Sequence, residues 1–252
     1  MTQPQVPRIF SADRRMMRIR RAQAHQRREG AATFIWDEIA EDMIDRLSFV
    51  RHQPERSLVI GPSPQPLLVH LGTGSVEQTN KIDIEAPFPS SGHTLIAVLG
   101  MLDAVNDLPG ALIHMRNALA PDGMAIASFV GGGSLPRLRA ALFAAEPDRP
   151  AARIHPLVDP RAAPGLLQRA GWKDPVVDSH PLKVRYSSLD RLVQDLRDHG
   201  LGSALADVPP PLSRKSLDMA RAAFLNHAES DGKVTETIEI LTLTGRRSLA
   251  GT

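Results

Sequence analysis

The order of apolar and polar positions divides the chain into short elements. Thr94–Leu99 is an apolar run bounded by Gly92 and Gly100, and it predicts a buried strand. Downstream, Leu108, Leu112, Met115 and Leu119 recur at helical spacing, with Asp107 placed to cap the helix and Pro109 in its first turn. Pro121-Asp122-Gly123 then reads as a turn, and Met124–Phe129 as a second buried strand. Upstream, Ile35, Ile39, Met43, Leu47 and Val50 form one stripe of an amphipathic helix over Phe34–Val50, with Thr33 as its cap. Ser57–Gly61 reads as the first strand, Leu67–Leu71 as the second, and Lys81–Ile84 as an edge strand. Past the centre, the pattern predicts helices over Pro164–Ala170, from Ser188 or Asp190 onward, and over Leu217–His227. Gly171 is placed to end the first of these in the left-handed conformation. Val176–Asp178 is a short strand. Val234–Thr244 alternates apolar and polar, as a half-exposed antiparallel strand does.

Strand, helix and strand between Thr94 and Phe129 form a right-handed βαβ unit, which requires a parallel sheet. The fold class is therefore α/β, with a mostly parallel sheet and an antiparallel last strand. At 252 residues and 42% apolar content the chain suits one such domain with additions. Without cysteine it has no disulfide, no thiolate zinc site and no cysteine nucleophile. No apolar run reaches the ~20 residues that span a bilayer, and no secretory segment is visible. A bacterial-type cytoplasmic protein is the default expectation.

Net charge is only +2, but residues 1–30 hold eight arginines against Asp13 and Glu29. Three readings stand for this basic arm: a solvated, helical or disordered segment; a contact for an acidic protein, membrane or nucleic-acid surface; or a mitochondrial transit peptide. The domain proper is expected over residues 31–252. No aromatic stacking platform accompanies the arginines, which argues against nucleic acid.

The phrase NDLPGAL…ALAPDG (Asn106 to Gly123) resembles the fourth helix and its surroundings in class I S-adenosylmethionine (SAM) dependent methyltransferases. It is similar in particular to the branch of BioC-like proteins and methyltransferase-like complex I assembly factors. Ile9-Phe10, Asp45-Arg46-Leu47, and the stretch from Arg153 through Leu166-Leu167-Gln168-Arg169-Ala170-Gly171-Trp172 match other segments of that branch. The resemblance implies a Rossmann-like fold, a SAM site at the ends of the first and fourth strands, and a helical lid within about 180–232, whose Tyr186 and Arg197 either face the cavity or lie on the solvated surface.

The motif that would grip SAM is altered. Gly61 is present, but Val59 stands at an acidic position and Pro62-Ser63-Pro64-Gln65-Pro66 replaces further glycines. Prolines carry no N–H and fix φ. The span Pro62–His93 is 32 residues, too short for the two helices and two strands of a full nucleotide half, which need roughly 33 before any loop. The fold is therefore expected to be truncated there. The resemblance leaves Gly61, Asp83, Leu99 and Gly100 as candidate cofactor contacts, with Gly72-Thr73-Gly74-Ser75 as a substitute loop. Gly131-Gly132-Gly133 is a hinge or binding loop. His155 has no carboxylate near it in sequence and reads as structural. No catalytic residue is named by the sequence. Two functions stand: a SAM-family protein with a degraded cofactor site that binds a protein partner or paralogue as an assembly factor, with SAM as its cofactor or none; or an active SAM-dependent enzyme, a methyltransferase or an arginine-modifying factor, using a substitute loop.

Overall fold

The computed structural model describes residues 8–62, 64–72, 76–79, 81–147 and 151–249. In chain order the elements are α1 (Ala12–His25), α2 (Phe34–Phe49), β1 (Ser57–Ile60), α3 (Gln65–Leu71), β2 (Val76–Thr79), β3 (His93–Leu99), α4 (Leu108–Ala118), β4 (Leu119–Val130), α5 (Pro136–Ala145), α6 (Ala163–Arg169), β5 (Lys173–Tyr186), α7 (Leu189–Asp198), α8 (Arg214–Leu225) and β6 (Val234–Arg246). The six strands form one sheet in the order β2-β1-β3-β4-β6-β5. The first four are mutually parallel; β6 runs antiparallel to both β4 and β5.

The central strands are apolar without interruption because both faces are covered. Leu95, Ala97 and Leu99 pack with α2, α3, α5 and α7 on one side. Ile96 and Val98 pack with α4 and α6 on the other. The predicted cap of α4 forms: Asp107 Oδ1 accepts the Gly110 N–H at 2.9 Å. Gly171 follows α6 at φ +71°, and Ser188 Oγ caps α7 by accepting the Arg191 N–H.

Four elements differ from expectation. Leu67–Leu71 lies in helix α3, not in a strand. Pro66 sits in its first turn, and only Leu67 and Leu71, one turn apart, are buried; an apolar run this short fits either period. Lys81–Ile84 forms no ladder, although Ile82 and Ile84 are buried; the backbone turns instead, with the Ala86 N–H donating to the Asp83 carbonyl. The strand between β1 and β3 is β2. One helix and one strand therefore fill the shortened span among the described residues, as its length requires. β5 is 14 residues long, far beyond Val176–Asp178. Finally, β6 is an interior strand. From Ile240 to Leu243 it is buried on both faces, and Glu236, a polar position of the alternation, is wholly buried.

The Arg-rich segment is no solvated arm in residues 8–25. Ser11 Oγ caps α1 by accepting the Arg14 N–H, and α1 docks on the domain through Arg15 and Arg18, the two buried residues of the helix. Arg15 pairs with Glu85 at 2.5 Å, and Arg18 with Asp103 at 2.7 Å. No helix among the described residues is long and apolar enough to cross a membrane.

Candidate functional site

The chain turns in opposite directions from β1 and β3, leftward to β2 and rightward to β4. The crevice beyond their carboxyl ends is where open α/β sheets bind ligands. A cavity of about 420 Å³ lies there, within the usual range for small-molecule sites. Gly61, Pro62, Pro64, Gly100 and Met101 form its floor; Thr33, Trp36 and Asp37 of the α2 entry form one wall. Arg18, Ala22, Gln23 and Gln26 of α1 lie across it, and Asp198, His199 and Gly200 close the side.

Both floor glycines are demanded by close packing. A Cβ on Gly61 would meet the Leu99 carbonyl oxygen at 2.1 Å, and one on Gly100 would meet the Trp36 ring at 2.4 Å. Their N–H groups are engaged in the sheet: Gly61 donates to the Thr79 carbonyl at 3.0 Å and Gly100 to the Ser128 carbonyl at 2.8 Å. Pro62 and Pro64 have none to give.

The sequence candidates therefore separate. Gly61 and Gly100 come together at the floor. Leu99 is fully buried beneath it and is absent from the lining. Asp83 is also absent: its side chain is 63% exposed, and Oδ1 accepts the Glu85 N–H at 3.1 Å and Arg15 at 3.4 Å. Its neighbour Glu85 carries the structural load, accepting from Arg15 and from the Asn106 and Asp107 N–H groups ahead of α4. Gly72 ends α3, at the opposite end of that helix from the floor, and is absent from the lining. Thr73, Gly74 and Ser75 lie outside the described residues. Gly131–Gly133 is not a binding loop either: the Gly131 N–H donates to the Glu239 carbonyl and the Gly133 N–H to Glu239 Oε2. Glu236 caps α5, accepting the Arg137 and Leu138 N–H groups.

The cavity's side is held by two residues that sequence reasoning did not single out. Asp198 accepts from His25, Gln194 and the Ala32 N–H, which ties α1, α7 and the approach to α2 together. His199 Nδ1–H donates to the Asp195 carbonyl at 2.7 Å, and Nε2 accepts the Ile35 N–H at 3.2 Å. Both nitrogens are thus used by the neutral ring, and burial pushes its pKa down. Burial also lowers His52 and His93. All three bind a proton more readily in the unfolded chain. Their contribution to stability is full above about pH 6.5 and is lost as pH falls through the folded values. Thermal melts are expected to show a falling midpoint below about pH 6.5, and the slope is expected to shrink in His199→Gln.

A second cavity, about 190 Å³, adjoins the first. It lies between α5, α7 and the 151–158 segment, with Arg197 at its edge. Tyr186 is not there; it is buried in the core, and burial and Asp195 push its pKa up. His155, read as a lone structural histidine, is 4% exposed and has Asp103 Oδ2 at 3.4 Å from Nε2. The partner lies on the loop after β3, far off in sequence. Burial alone would raise Asp103, but Arg18 and His155 hold its carboxyl down at about 2. Arg18 lines the first cavity and Asp103 the second, so this pair is the partition between them.

No family model matches the chain. Curated relatives do. Arginine-hydroxylase NDUFAF5, mitochondrial, of Rattus norvegicus is 30% identical over 63% of this chain and 48% of its own length; the chain spans about half of that relative. The same protein of Danio rerio is 26% identical over 84% of this chain and 74% of its own. Malonyl-[acyl-carrier protein] O-methyltransferase of Halorhodospira halophila is 28% identical over 92% of this chain and 87% of its own. Likeness to solved structures is loose: the YcgJ protein of Bacillus subtilis aligns over 82% of this chain and 99% of its own at TM-score 0.46 and 9% identity. By sequence the chain is a relative of NDUFAF5 and of the malonyl-[acyl-carrier protein] O-methyltransferases, and its sheet is the mostly parallel, Rossmann-like sheet of class I methyltransferases.

Proposed function

We propose that this member of the family has given up the ordinary grip on SAM and works by binding, as an assembly-type factor for a protein partner or paralogue. One observation carries the reading: at the switch point the Gly61 and Gly100 amides are already bonded within the sheet and two prolines follow. β2 ends in Thr79, with no acidic residue of that strand in the lining. Arg18 also brings a guanidinium to the cavity, 8% exposed, which is the wrong charge beside a sulfonium. The residues present do not fit SAM by the strand-loop route.

The partner surface is the groove between α1 and α7. Arg14, Arg21, His25, Arg28 and Arg197 line a depression of about 730 Å³. Its charge is complementary to an acidic protein surface.

Calorimetry decides the reading. Titration of the full chain with SAM is expected to give no saturable heat at concentrations that fill a site of Kd about 100 μM. A micromolar Kd would overturn it.

A second reading, an active enzyme, is favoured by the two adjoining cavities that share the Arg18–Asp103 partition. Among the described residues its best contact for a cationic cofactor is Asp37, which lines the cavity, rather than Asp83. On that reading Asp37→Ala weakens SAM binding and Asp83→Ala leaves it unchanged.

A further inference from the structure

We propose that the groove between α1 and α7 docks an acidic amphipathic helix of a partner protein, one that carries a carboxylate at every seventh residue. The inference deepens the binding role proposed above and rests on it.

Arg14, Arg21 and Arg28 line the groove and stand seven residues apart in sequence. Seven residues are two helical turns less about 20°. The three therefore form one row along α1 and the turn that prolongs it, where the Arg28 N–H donates to the His25 carbonyl at 2.9 Å. Arg197 of α7 lines the same groove. Among the described residues no acidic side chain lines it. Arg18 and His25 are paired with Asp103 and Asp198. Arg14, Arg21, Arg28 and Arg197 take part in no ion pair among the described residues, and Arg14 has the Ser203 carbonyl at 3.5 Å. Guanidinium groups gathered without a counter-charge repel one another and favour an anion between them.

The spacing selects the kind of anion. At about 1.5 Å of rise per residue, Arg14 and Arg28 are roughly 20 Å apart along the backbone, so no single phosphate or carboxylate meets both. A helix lying beside α1 repeats its own face at the same seven-residue interval. Its carboxylates then pair with the arginines along the seam, as flanking charges do in coiled coils. Met17 falls between Arg14 and Arg21, lines the groove and is 47% exposed. An exposed methionine amid the charges gives an apolar contact that suits an amphipathic helix. A nucleic-acid strand fits less well, because the groove offers no aromatic ring on which a base could stack.

Fluorescence anisotropy on the full chain tests it with two labelled peptides, each about 21 residues or three heptads long. One has glutamate at every seventh position and leucine midway between. The other has the same composition with the glutamates moved round to different faces. The registered peptide is expected to saturate, and the shuffled one to bind at least tenfold more weakly. Arg21→Gln and Arg197→Gln, both at exposed positions, should each weaken the registered peptide about fivefold, the loss of one exposed charge pair. Arg20→Gln and Arg27→Gln remove the same charge from exposed positions outside the lining and should leave it unchanged. Equal affinity for the two peptides overturns the proposal. So do equal losses in Arg20→Gln and Arg21→Gln, the absence of saturable binding, or tighter binding of an oligo-dT strand or phosphatidylserine vesicles. Such a failure counts against the helix alone, whereas saturable heat with SAM counts against the degraded cofactor site.

Discussion

Asp103→Ala is expected to destabilise the protein by about 3–5 kcal/mol, the cost of leaving one member of a buried ion pair without the other. For a chain of this size that lowers the melting midpoint on the order of 10 °C. Arg18 and Asp103 are 8% and 1% exposed at the side chain and lie 2.7 Å apart. Among the described residues Arg18 has, beyond Asp103, the Gly202 carbonyl at 3.1 Å. The consequence is concentrated in α1, because its buried residues are Arg15 and Arg18 and no others; little apolar burial remains to hold it. Loss of the pair should therefore release the helix that covers the switch-point cavity, seen as early proteolysis within residues 12–25. The double variant Arg18→Met/Asp103→Leu should regain much of the loss, since an apolar pair removes both desolvation costs. The wild-type pair should survive mild acid. With its carboxyl at about 2 in the fold against 3.8 when free, its contribution is full above pH 3.8 and drains only as pH falls toward 2. A loss under about 1 kcal/mol in Asp103→Ala, within the range of an exposed pair, would show that α1 is anchored by something else.

Gly61→Ala is expected to cost more than about 3 kcal/mol. Two penalties combine: backbone strain of about 1–3 kcal/mol for a non-glycine residue in a sparsely populated region, and overpacking of about 1–3 kcal/mol. Gly61 has φ +103°, and the added methyl would sit 2.1 Å from the Leu99 carbonyl oxygen. That oxygen is backbone, so no side chain can swing away. Gly72, at the other end of α3, is the control. Its φ is +79° with ψ 162° and nothing within 4 Å of a Cβ, so Gly72→Ala should cost the backbone strain alone, about 1–3 kcal/mol. Urea denaturation of the two variants gives the comparison directly. Equal losses would mean that φ alone, and not the approach of β1 to β3, requires the glycine at 61.

Legibility in the sequence follows how local each signal is. The central βαβ unit was readable because its period, cap and turn residues lie within a few positions of one another. Asp107, Pro109 and the Leu108–Leu112–Met115 stripe act where they are written. The run Leu67–Leu71 was misread because five residues fit either period, and Pro66 decided for a helix by pre-setting its first turn. Glu236 was invisible because a buried acid that caps another element looks like any polar position of an alternating strand.

The chain by itself determined the α/β class, the parallel centre, the family and the shortened nucleotide half. Each depends on periodicity, on motif spacing, or on a count of residues too small for the missing elements. Tertiary structure alone decided that an arginine-rich segment is a docked helix, that Asp103 stands beside His155 and Arg18, and that Asp83 faces away from the crevice. Those are contacts between residues from 52 to 85 positions apart. Their energies arise from burial and charge brought together by packing, and no local pattern carries that information.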